Sequence, residues 1–120
     1  MKKPTGYFAV AFCVLFTGCA GLNARKEAKT ASQNVAAAEA SVKAAKQGGA
    51  TACAAMELKL AESDLKLAKS NLGKKAYSLA LTLAKSADSN AAAAAKKCEA
   101  AKRKEAETRN KTKKNRNTYD

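Results

Sequence analysis

The chain contains no histidine and no tryptophan, and its single proline is Pro4. Without histidine it lacks the side chain best suited to move a proton near neutral pH. No Ser, Cys or carboxylate sits in a recognisable catalytic setting either, so an enzyme is not expected. Two thiols in the body without a histidine are too few ligands for a metal, and no cofactor is expected. Acidic residues are also scarce, with 10 Asp and Glu against 23 Lys and Arg.

What the chain does carry begins at its amino terminus. Lys2 and Lys3 precede an apolar run of roughly ten residues, Tyr7 to Leu15, and the segment closes with Leu15-Phe16-Thr17-Gly18-Cys19-Ala20. A basic start, a short apolar stretch and small residues before a cysteine follow the order of a bacterial export leader. The run is shorter than the roughly 20 residues that span a bilayer, so cleavage is expected rather than a permanent transmembrane helix. The segment resembles the lipobox of bacterial lipoproteins. That resemblance implies removal of residues 1–18, acylation of Cys19, and a lipid-anchored domain over residues 19–108. An ordinary secretory leader, leaving Cys19 as a plain thiol, is the other reading. Ala20 stands where enteric inner-membrane lipoproteins carry Asp, which points to the periplasmic face of the outer membrane.

Loss of Lys2 and Lys3 leaves 21 basic and 10 acidic side chains, a net charge of +11. Such a chain is drawn to anionic surfaces. Export argues against nucleic acid and for peptidoglycan carboxylates, lipopolysaccharide or phospholipid phosphates. About a quarter of the residues are alanine, and the length allows one domain.

Apolar residues recur at alternating steps of four and three, the a/d pattern of helices packed along one another. In the first segment, about Asn23 to Gln47, they are Ala24, Ala28, Ala31, Val35, Ala38, Val42 and Ala45. Gly48-Gly49 ends that helix. Thr51 is placed to cap a second, whose seam reads Ala54, Leu58, Ala61, Leu65, Ala68 and Leu72, with Leu60 and Leu67 widening the apolar face. Gly73 is placed for a left-handed cap. The third helix runs from about Lys74 to the region of Arg103 to Glu107, with Tyr77, Ala80, Ala84, Ala87, Ala91, Ala94 and Cys98 as its seam and Leu79 and Leu83 beside it. The short connection requires an antiparallel hairpin, and the first helix extends it to an all-α three-helix bundle with alanine-rich seams. Leucines crowd the half nearest Gly73, so the alanine-only open end is expected to be the weak end. Glu57, Glu62, Asp64 and Asp88 read as solvated faces, with Lys66 placed to pair with Glu62.

Cys53 and Cys98 both fall at that open end. Counted from a turn at Gly73, they sit about 20 residues back and 25 forward, roughly 30 and 37 Å along the hairpin. A small shift of the turn would level them, and in an oxidising compartment a level pair reads as a disulfide. Two unpaired thiols or an intermolecular bridge are the alternatives. Beyond Lys104 the apolar period stops. Residues 109–120 read as a disordered basic tail or a fraying helix end. Lys102, Arg103, Lys104, Arg109, Lys111, Lys113, Lys114 and Arg116 are the candidate contacts to an anionic surface.

The stretch from about Asn34 to Lys102 carries Leu58-Lys59-Leu60-Ala61-Glu62, Leu65-Lys66-Leu67-Ala68 and Leu72-Gly73-Lys74-Lys75-Ala76-Tyr77, then Ala80, Leu83, Ala84, Ala87 and Ala91. It resembles the alanine-rich envelope family catalogued as domain of unknown function 4398, whose members look like lipoproteins or modules beside peptidoglycan-binding domains. The resemblance implies antiparallel helices and an envelope location, with no activity to transfer. The lipobox, size and alanine seams also resemble the small murein lipoproteins. Gly48-Gly49 and Gly73 interrupt what would be one continuous helix there, and the chain ends Asn117-Thr118-Tyr119-Asp120, so covalent wall attachment is not expected.

Two roles follow as expectations. One is a structural lipoprotein that links the membrane to the wall or to anionic lipid through its basic end. The other is an adaptor whose first helix docks an envelope protein or a second copy through Ala28, Ala31, Val35, Ala38 and Val42.

Overall fold

The computed structural model describes residues 18–116. Among them the chain is all-α: α1 (Gly18–Gln47), a single turn α2 (Ala50–Cys53), α3 (Ala55–Gly73) and α4 (Tyr77–Arg116). Residues 1–17, all but the last residue of the expected leader, and residues 117–120 at the end of the chain lie outside the described residues.

The breaks between helices differ from those read in the sequence. Gly49 does supply a left-handed residue, with φ +91°, after α1. Thr51 is not a cap, because α2 starts at Ala50 behind Gly49 without a side-chain capping bond. Ala54 then interrupts the helix at φ −148°, ψ 46°, while its N–H still donates to the Ala50 carbonyl and its own carbonyl accepts from Leu58. Gly73 is still helical, and the left-handed position is Lys75, at φ +61°. The Ala76 N–H donates to the Asn71 carbonyl at 2.9 Å and the Lys75 N–H to Leu72 at 3.0 Å, the paired bonds of a Schellman cap. The two orphan carbonyls at the end of α3 set where the chain turns, and α4 therefore starts at Tyr77 rather than Lys74.

α4 packs along both α1 and α3. It runs antiparallel to α3, where Asp64 accepts from Ser86 at 2.6 Å and Asn90 at 3.1 Å. It runs parallel to α1, where Ser41 donates to Asp88 and, further along, Lys102 Nζ donates to the Gly48 carbonyl at 2.9 Å. The seams meet as their spacing requires: Ala31, Val35, Ala38, Val42 and Ala45 of α1 are buried with Leu58, Ala61, Leu65 and Ala68 of α3 and Ala80 to Cys98 of α4. The first helix thus belongs to the bundle, and its seam is not open to dock a partner. No polar or charged side chain is buried among the described residues. Leu72 and Leu83 pack against this core half-buried. Leu60 and Leu67 do not widen it: they are 54% and 48% exposed, on the outer side of α3.

Candidate functional site

α1 and α4 are parallel but out of step. Tyr77, the first residue of α4, sits beside Lys26, Glu27 and Thr30 of α1. About ten residues of α1 therefore project past the hairpin turn, roughly 15 Å. At the opposite pole α1 ends at Gln47, Lys102 reaches the Gly48 carbonyl just beyond it, and α4 continues alone to Arg116. That adds about 20 Å, for a rod of roughly 75 Å from Gly18 to Arg116. Cys19 lies in the first turn of α1, at one pole.

The basic residues expected to contact an anionic surface occupy the other pole. Lys102, Arg103, Lys104, Arg109, Lys111, Lys113, Lys114 and Arg116 are all on α4 and all exposed. The tail expected to be disordered from residue 109 is helical through Arg116. Alanine, Lys, Arg and Glu lose little on entering a helix, and extending an existing helix avoids the cost of nucleation. Thr108 and Thr112 donate back to the carbonyls of Lys104 and Thr108. Lys113, Lys114 and Arg116 stand in the last turn, where the helix dipole favours cations. At 100° per residue, Lys102, Arg109, Lys113 and Arg116 fall on one stripe of this free helix. It prolongs the side that carries Ala94 and Cys98 inside the bundle, so the α4 seam passes from apolar to cationic where α1 stops.

Carboxylates expected on solvated faces mostly fasten helices together. Glu62 pairs with Lys46 of α1 at 2.5 Å instead of with Lys66. Glu39 pairs with Lys69 at 2.7 Å, and Glu57 with Lys97. The Lys97 ammonium, donating to the Glu57 carboxylate, holds that carboxyl below the usual glutamate value. These pairs offset part of the positive charge along the bundle.

Cys53 and Cys98 are joined as a disulfide, with α-carbons 5.3 Å apart. Cys98 is buried in the α4 seam and Cys53 faces outward from α2. Among the described residues no cluster of His, Cys, Asp or Glu could hold a metal ion. No described helix is long and apolar enough to cross a membrane. The depressions between helices are shallow and open, the largest groups of lining residues being alanines of α1 and α4 beside Ser41, Glu99 and Lys102.

Sequence reasoning placed Leu60, Leu67 and Leu79 beside the buried seams and did not single out Met56, whereas all four are exposed. The spacing of Met56, Leu60 and Leu67, four and then seven, was a legible signal of a second face on α3.

No protein-family model, curated protein or solved structure matches the chain. The resemblances named above rest on the residues quoted for them.

Proposed function

We propose that this chain is a lipid-anchored helical lipoprotein of the bacterial envelope, held at the outer membrane through acylated Cys19 and contacting an anionic surface through its basic end. One observation carries this reading: the candidate anchor and the cationic helix lie at opposite poles of a rod about 75 Å long. The disulfide supports an oxidising compartment, because a bond between Cys53 and Cys98 persists there and is reduced in a cytosol. Ala20 after the acylated cysteine supports the outer membrane.

The role is structural. Cations spaced along one exposed helix recruit a repeating polyanion without a pocket, and the attraction weakens as salt screens it. Peptidoglycan carboxylates are the polyanion within reach of such a rod. Mature protein should therefore sediment with isolated peptidoglycan at low salt and leave it at high salt. Deleting the residues after Lys104 should abolish the association. Retention by the shortened chain, or binding indifferent to salt, would remove the tether from consideration.

A further inference from the structure

We propose that the outward face of α3 and α4 centred on Leu60 and Leu67 lies on an anionic lipid surface. α3 is apolar on two sides. Leu58, Ala61, Leu65 and Ala68 point into the bundle, while Met56, Leu60 and Leu67 form a second stripe on the outer side, 73%, 54% and 48% exposed. Leu79, 52% exposed, joins them from α4. It shares its side of α4 with Ser86 and Asn90, which bond Asp64 between Leu60 and Leu67. A bundle with a core built mostly of alanine has left four of its largest apolar side chains in water, along one side. A patch of that kind marks an interaction surface.

The surrounding charge selects the occupant. Lys59 and Lys66 run beside the stripe on α3, one residue before each leucine, and Lys74 and Lys75 are exposed at the turn beyond it. The carboxylates that border the stripe are already engaged, Glu57 by Lys97 and Asp64 by Ser86 and Asn90. A second copy laid stripe on stripe would bring lysines against lysines, with the bordering carboxylates already engaged within each copy. Lipid accepts both components. The leucines and methionine enter the acyl boundary, and the lysine stems lie along it with their ammonium groups among the headgroup phosphates.

This face is separate from the α4 extension and does not need Cys19 to be acylated, so it goes beyond the tethering role. The chain has no tryptophan, which allows a clean probe. The full chain carrying Leu60→Trp is mixed with vesicles of zwitterionic and anionic phospholipid that bear brominated acyl chains. The reference is Ala36→Trp, at an exposed position on the outer side of α1. Emission from the first variant should move to shorter wavelength and be quenched about twofold or more, while that from the second stays as in water. Adding Leu67→Asp to the first should abolish the shift without changing helix content. Three results would overturn the proposal. They are vesicle-bound protein whose Leu60→Trp emission stays solvent-like, an equal response on purely zwitterionic vesicles, and a shift that grows with protein concentration in the absence of lipid. The last would assign the face to a second copy. Sedimentation with peptidoglycan is unaffected by any of them, so the two readings fail separately.

Discussion

Cys53 and Cys98, 45 residues apart in sequence, are bonded with their α-carbons 5.3 Å apart because the hairpin turns at Lys75. That residue lies 22 positions after Cys53 and 23 before Cys98, so the two arms are level. A turn two residues earlier, at Gly73, would have left the cysteines about one helical turn out of step. The bond closes the alanine-only end of the bundle. Replacing both cysteines, Cys53→Ser with Cys98→Ala, should lower stability by about 2–4 kcal/mol in urea titrations. Reducing the native chain should have the same effect and leave the variant untouched.

Lys75 holds a conformation that suits glycine. A side chain in the left-handed region costs about 1–2 kcal/mol, part of which glycine returns through its greater freedom when unfolded. Lys75→Gly should therefore stabilise the chain by about 0.5–1 kcal/mol, read from the thermal midpoint of the helical signal. Gly73→Ala should not destabilise it, since Gly73 is helical and a Cβ there meets nothing within 4 Å.

Val42 decides whether α1 is part of the bundle. It is 4% exposed and packs within the apolar core, where a lysine stem would displace its neighbours and draw a charge out of water. Val42→Lys should unfold the chain or cost about 3–5 kcal/mol, whereas Ala36→Lys, on the exposed side, should change stability by less than about 0.5 kcal/mol. A folded monomer with the Val42→Lys change would mean that α1 does not pack where it is found.

The Glu57 carboxyl titrates below the usual glutamate value because Lys97 donates to its charged form. Its contribution to stability is then present above the unfolded glutamate pKa and is lost as pH falls through the lower folded value. A carbon-detected NMR titration should show that depression. Lys97→Met should return Glu57 to the ordinary range.

The α4 extension should be dispensable for folding. All described residues after Lys102 are exposed, so ending the chain at Lys104 should leave the melting profile of the bundle unchanged within about 0.5 kcal/mol. The ellipticity should fall by the share of the helical residues removed.

Much of this architecture was legible along the chain. The 4–3 spacing from Ala31 to Ala45, Ala54 to Ala68 and Ala80 to Cys98 named the buried residues, since a helix can turn only one stripe toward its neighbour. Gly48-Gly49 marked the end of α1 because Gly49 is left-handed. The cationic helix is visible as composition, but from residue 109 the sequence leaves a disordered tail and a fraying helix end both open, and the chain is helical through Arg116. Its lack of apolar period removed the packing signal, while propensity and continuity with a long helix still favoured α structure.

Local sequence therefore determined which residues form helices, which side of each is apolar, and that both body cysteines fall near the same end. These depend on spacings within one helix, where every partner is three or four residues away. Tertiary structure decided the rest. It set the turn at Lys75, which levels the cysteines, and moved Glu62 from Lys66 to Lys46. It left Leu60 and Leu67 outside, because a three-helix bundle offers α3 only two neighbours and both lie against its other side. It also placed Cys19 and Arg116 at opposite poles, since the offset between parallel α1 and α4 is set by how the three helices settle together.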